Sequence, residues 1–300
     1  MNQTRIKIII PYFGHWPEWI NLFLQSCAYN ADIDWLFYTD CGEPEVRPAN
    51  TEFITIRFVD YKKQVSEKLQ IDFSQAEPYK LCDLKPAYGY LHQDQLEGYD
   101  FWGFGDIDVI YGQIHKFITS DILSKYQLIS THKQRISGHF CLLKNNRQIC
   151  TAFQQIPNWQ QLLENSQHLG IDESKFTKVF MPHRKHPHWL KYVYGLFNPL
   201  WRNNYFVEQY STILSPFPWL NGRKNHPQQW QWHRGTLTNY SDGEREFMYL
   251  HFMNWKSALW LDKSHGDKAA WEGLQTLVHF DSETEKNSWT ISPTGFHLTE

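Results

Sequence analysis

Over the first hundred residues, short strand-like runs alternate with helix-like ones, and that alternation restricts the fold more than any other property of the chain. Lys7–Pro11 is a compact β-rich run that ends in the turn-like PYFGHWPEW, and Trp19–Tyr29 then shows helical spacing of apolar residues. Asp34–Thr39 (DWLFYT) reads as a second strand, Glu52–Phe58 (EFITIRF) as a third, and Tyr61–Leu69 as a polar helix. Leu81–Leu91 reads as a helix interrupted or started near Pro86, and Phe101–Phe104 as a strand. Parallel neighbours need a crossover connection, which these helices supply, so the expected fold class is α/β with a mainly parallel central sheet flanked by helices. In such sheets ligands gather at the carboxyl ends of the strands. The loop Pro11–Trp16, the turn Thr39–Gly42 and the segment after Phe104 are expected to open on that one edge.

The last of these carries the chemistry. In YDFWGFGDIDVIYG, Tyr99–Gly112, a glycine-interrupted aromatic strand delivers Asp106 and Asp108 as a DxD pair. Side chains two apart on a strand share a face, so both carboxylates can reach one hard cation. A divalent ion held there could take the diphosphate of a nucleotide-sugar in its open positions and stabilise it as a leaving group. Read alone, an acidic pair after a strand also serves as a turn or helix cap.

Three hundred residues with 41% hydrophobic content suit one large domain with room for an insertion. A net charge of −3 excludes a general nucleic-acid binder, so any nucleotide recognised is small. Five cysteines form no CxxC pair, and no signal-like stretch precedes the first apolar run. Ile6–Ile10 is far shorter than the ~20 residues a bilayer span needs. The expectation is a cytoplasmic protein with reduced thiols, with peripheral contact at the inner face of the membrane left open. Aromatic residues reach 17%, and the rings nearest polar, turn-rich sequence, Trp16, Trp219, Trp230 and Trp232, are the candidates for stacking on sugars or bases.

Further along, Gln127–Ser130 and His139–Leu143 read as strands, and 181–235, rich in Pro, Trp, His and basic residues, as an elaborated loop or insertion. Phe247–Phe252 is strand-like, and the polar tail holds a short strand at Trp289–Ile291. The organisation expected is one catalytic domain, with a nucleotide-binding half over 1–112, an acceptor-side half over 113–260 and a tail over 261–300.

Together these pieces resemble the GT-A superfamily of metal-dependent, nucleotide-sugar glycosyltransferases, with bacterial polysaccharide-forming members closest in character. IIIPYFG resembles the first strand and nucleotide-binding loop, GDIDVIYG the DxD segment, and HFMNWK at His251–Lys256 the HFxGxxK element of glycogenin-like members, with Asn254 where that pattern has Gly. The resemblance implies that His251 completes a metal shell with Asp106 and Asp108, that the ion is Mn²⁺ or Mg²⁺, and that Lys256 pairs with the diphosphate. Imidazole with carboxylates does suit Mn²⁺ better than Ca²⁺, and lysine offers phosphate a point charge. It further implies a UDP-sugar donor, galactose or galactofuranose, and a glycan or lipid-linked glycan acceptor in lipopolysaccharide O-antigen or capsule synthesis. The plainer roles are a hydrogen-bonded core histidine and a solvated lysine.

Around this centre, Pro11, Tyr12, Phe13, Thr39 and Asp40 are candidates to hold base and ribose, and Asp83 and Lys85 of CDLKP to reach ribose, sugar or phosphate, against a capped helix start. Ser137, Gly138 and His139 could line the donor sugar or form a simple turn. Asp172 and Glu173 are the candidate acceptor bases, against a helix cap. HRKHPH at His183–His188 lacks a second cluster at finger spacing and reads as a basic loop that could meet phosphate on a lipid-linked acceptor. Trp219–Arg234, with Arg223 and Lys224, could touch an anionic membrane or a glycan, or be a solvated insertion. Two other classes stay open: a metal-independent glycoside hydrolase, whose carboxylates would stand ~5 to ~10 Å apart across a sugar bond, and a non-catalytic carbohydrate-binding protein.

Overall fold

The computed structural model describes residues 4–181, 193, 195–213, 218–223, 225–252, 255 and 288–298. Seven strands form the central sheet in the order β3-β2-β1-β4-β7-β6-β8: β1 Ile6–Pro11, β2 Ile33–Thr39, β3 Thr51–Thr55, β4 Phe101–Gly105, β6 Leu128–Ser130, β7 Phe140–Lys144 and β8 Asn204–Phe206. The β1/β2, β2/β3, β1/β4 and β6/β8 pairs are parallel, and β7 runs antiparallel to both β4 and β6. This is the α/β, mainly parallel arrangement that the alternation implies.

Every residue of β1 is buried, as expected of a strand covered on both faces. Helix α1, Ile20–Ala28, covers one face with Phe23, Leu24 and Cys27, and α2, Phe58–Leu69, covers the other through Tyr61, Val65 and Leu69. Segment 81–91 is a chain of single turns, Leu81–Leu84, Lys85–Ala87 and Tyr88–Leu91, in place of one helix. Pro86 lacks the amide that a continuous helix needs.

Two smaller sheets complete the fold. β5, Val109–Tyr111, pairs antiparallel with β11, Tyr249–His251, and a four-stranded sheet joins β10 Thr236–Asn239, β9 Trp230–His233, β12 Ser288–Ser292 and β13 Gly295–Leu298 in that order. The stretch 181–235 is therefore more than a loop: it supplies β8 at the edge of the main sheet and β9 in the small one. Alternation in WQWH turns Trp230 and Trp232 to the same inner face, where Trp232 stacks on Trp289 at 4.5 Å. Trp219, Trp230 and Trp232 are core rings, not the ligand-facing ones their polar neighbourhood suggests.

Candidate active site

The acidic pair lies just beyond β4, in a bend between β4 and β5, so shared-face strand geometry is not what unites the two carboxylates. Backbone bonds fix the bend. Asp106 N donates to His139 O at 3.3 Å, Phe252 N donates to Asp108 O at 3.1 Å, and the Trp19 indole donates to Ile107 O at 2.9 Å. Antiparallel pairing places His251 opposite Val109, while His251 N donates to Ser211 O at 2.9 Å on its other side. Asp106, Asp108 and His251 consequently each present a ligand atom within 4.8 Å of the other two, with His251 Nε2 3.7 Å from Asp108 Oδ1. Two carboxylate oxygens and one imidazole nitrogen form a donor set suited to Mn²⁺ or a similar divalent ion. The Asp106 side chain is 31% exposed against 7% for Asp108 and 5% for His251, so access from solvent is on the Asp106 side.

Behind His251 sits a buried polar wall. The His139 ring stacks on it at 4.0 Å, and His139 Nε2 lies 2.7 Å from the Tyr249 hydroxyl, with Ser137 Oγ 3.1 Å from the same ring. Burial, and then the neighbouring His251 and His132, push the His139 pKa well below its ordinary value, so the ring is neutral. His132 in turn contacts both carboxylate oxygens of Glu208 at 3.2 Å. His139 and Ser137 thus support the cluster from inside, in place of lining the donor sugar as the turn SGH suggests.

On the open side, Lys85 Nζ donates to Asp106 Oδ1 at 2.5 Å and to Gly138 O at 3.0 Å, and lies 3.9 Å from Asp172 Oδ2. Burial alone would lower the Lys85 pKa; Asp106, Cys82 and Asp172 outweigh it and hold the ammonium charged. Asp172 belongs to a π-helical turn, Ile171–Lys175, entered through Gly170 at φ 61°. Burial raises its carboxyl to about 7 against the opposing pull of Lys85. Glu173 is held by Arg135 at 2.8 Å and by the Gly138 amide at 3.2 Å. A Cβ on Gly138 would stand 2.9 Å from Asp172 Oδ2, so any larger residue would have to displace that carboxylate.

The remaining candidates separate into rim and scaffold. Tyr12, after Pro11 at the end of β1, stacks on Trp16 at 5.3 Å and 6°. Phe13 turns inward against Phe58 and Tyr61, a core position instead of a base-binding one. Asp40 accepts from the Gly14 amide at 2.8 Å and the Phe58 amide at 3.2 Å, while Thr39 Oγ1 accepts from Cys41 N, so both residues brace the loop. Asp83 is fully buried and accepts from Lys80, Leu169 N and Ile171 N, which makes it a structural anchor and not a ligand contact. Lys256 and His183–His188 lie outside the described residues. Arg135, Lys80, Tyr249 and Glu208 were not singled out from the sequence; only the Lys80–Asp83 spacing of three carries a local signal.

Solved structures with some likeness include the galactosyltransferase LgtC in complex with donor and acceptor sugar analogues, at 10% identity and TM-score 0.32, covering 61% of this chain and 81% of that one. They include the glycosyltransferase GlyE of Streptococcus pneumoniae TIGR4, at 10% identity and TM-score 0.37, covering 70% of this chain and 46% of that one. Mouse xyloside xylosyltransferase 1 is similar at 12% identity and TM-score 0.35, covering 68% of this chain and 96% of that one. No curated protein matches the sequence. Residues 8–294 match the profile of a family described as a family of unknown function (DUF6625), and the chain belongs to that family.

Proposed function

We propose that the protein is a metal-dependent glycosyltransferase that moves a sugar from a UDP-sugar to a glycan acceptor. The observation that carries this is the meeting of Asp106, Asp108 and His251 around one cation-sized space beside a buried, charged lysine. Asp106, Asp108 and His251 would hold Mn²⁺ or Mg²⁺, which when bound offsets charge on the donor diphosphate. Lys85 adds a fixed positive charge on the same side, and Lys256 is proposed as a second phosphate partner.

In the transfer, an acceptor hydroxyl oxygen forms a bond to the anomeric carbon as the bond from that carbon to the diphosphate oxygen breaks. With inversion, the hydroxyl proton passes to a carboxylate, and Asp172, with a pKa of about 7, is matched to that task. With retention, the departing phosphate takes it. Galactose or galactofuranose as the donor sugar, and a surface-polysaccharide acceptor met at the membrane face, complete the proposal.

Asp108→Asn tests it. Titration calorimetry with UDP should give Mn²⁺-dependent binding to the native chain and at least a tenfold weaker response in the variant, with its melting temperature within a few degrees of native. UDP binding that is indifferent to Mn²⁺ in the native chain would reject the metal role. A glycoside hydrolase would need no metal, and its two carboxylates would flank a sugar bond instead of converging on one point.

A further inference from the structure

We propose that Tyr79 and His168 form a stacking platform for a pyranose ring of the acceptor glycan, on the Asp172 side of the site. The acceptor assignment rests on the glycosyl-transfer reading; the sugar platform itself rests on the geometry that follows.

Tyr79 is 64% exposed, and its ring lies 4.6 Å from that of His168 at an angle of 54°. An exposed tyrosine alone is unremarkable. This one stands on an unusually firm base. The next residue, Lys80, is paired at 2.9 Å with Asp83, both side chains being completely buried, and its ammonium also donates to Leu162 O and Gln167 O. Asp83 accepts from the Leu169 and Ile171 amides at 2.7 Å each, and His168 Nε2 lies 3.7 Å from it. Burying such a pair is costly unless its hydrogen bonds are complete, and here they clamp segment 162–171 onto the turn that carries Tyr79. The ring pair is thereby pre-ordered, which lowers the entropy lost when a ligand stacks on it.

Its location follows from an unbroken line of contacts. Asp83, His168 and Asp172 present atoms within 4.8 Å of one another, Asp172 is 3.9 Å from Lys85, and Lys85 is 2.5 Å from Asp106. Tyr79 is joined to this line through its ring contact with His168, while most of its own ring stays exposed. A pyranose presents a C–H face to an aromatic ring and hydroxyls at its rim, which the phenol and imidazole can meet with hydrogen bonds. A ring seated on Tyr79 and His168 would therefore stand on the Asp172 side of the Asp106–Asp108–His251 cluster, where the proposal places the acceptor.

Saturation-transfer NMR on the full chain with UDP and Mn²⁺, using methyl glucosides, galactosides and mannosides as probes, reads this directly. At least one glycoside should bind the native protein, Tyr79→Ala should weaken it about tenfold or more, and Tyr79→Phe should keep most of the affinity, while the UDP–Mn²⁺ titration stays at the native value in both. Absence of glycoside binding, or native affinity in Tyr79→Ala, overturns the platform. Equal weakening of UDP and glycoside would overturn the acceptor assignment and move Tyr79 to the donor side. Tyr79-dependent glycoside binding without any UDP–Mn²⁺ binding would instead sink the transferase reading and leave a carbohydrate-binding surface.

Discussion

Asp172 shows how far a single side chain can be pushed by its surroundings. Its neighbours are a buried ammonium, a second carboxylate at Glu173 and apolar packing, and burial outweighs Lys85 to leave the carboxyl at about 7. A carboxyl raised above its unfolded value of ~3.9 gives the folded state an extra proton between the two values, so the stability it contributes is complete below pH ~4 and is lost as pH rises through about 7. At 1.36 kcal/mol per unit the full loss is on the order of 4 kcal/mol. Asp172→Asn keeps the shape and removes the titration. Melting curves from pH 5 to pH 8 should therefore show the native protein losing ground to the variant as pH rises, by several degrees in total. A constant difference across that range would mean that Asp172 is ionised throughout. The role of such a residue was only half legible beforehand: an acidic pair after a glycine marks a cap or a base equally well, and nothing local announces the lysine packed against it from 87 positions earlier.

Among the elements, β1, β2, β4 and β7 were legible as largely apolar runs because they are buried on both faces, whereas β3, part-exposed along its length, was legible from the alternating character of EFITIRF. β8 left no such trace. It is three half-buried residues, NYF, and its partner β6 lies more than seventy positions away. The tryptophans of β9 did alternate, yet polar neighbours gave them the look of ligand contacts when the pattern was that of a one-sided sheet. The π-helical turn at Ile171–Lys175 has no sequence signature, and it is the element that brings Asp172 and Glu173 against Gly138. Gly138→Ala tests that fit. Its Cβ would sit 3.2 Å from Glu173 Oε1 as well as 2.9 Å from Asp172 Oδ2, so the two carboxylates must shift from their present positions. The expected cost is about 1–3 kcal/mol of stability, read by urea unfolding, and a loss of transfer activity larger than that destabilisation alone accounts for. Native activity in Gly138→Ala would show that the turn takes no part in the reaction.

At the scale of the molecule, the cluster is assembled from segments almost 150 residues apart, Asp106 and Asp108 after β4 and His251 at the end of β11. Spacing alone cannot reveal such a meeting; it was visible only because HFMNWK resembles a known element, and physically it depends on the β5–β11 pairing that sets His251 opposite Val109. An ion bound there ties these segments together in the folded state and has no equivalent site in the unfolded chain. If the proposed function holds, mass action requires Mn²⁺ with UDP to stabilise the fold, by about 2.7 kcal/mol when the ligand is at a hundredfold excess over its dissociation constant. For a chain of this size that corresponds to a rise in melting temperature of roughly 4 °C. His251→Ala removes one of three ligands while leaving the strand pairing, which is made by backbone groups. The rise should shrink to near zero in that variant and on addition of EDTA to the native protein, with the melting temperature of metal-free His251→Ala staying close to that of the metal-free native chain. A full-sized rise in His251→Ala would place the ion elsewhere and remove the carboxy-terminal segment from the site.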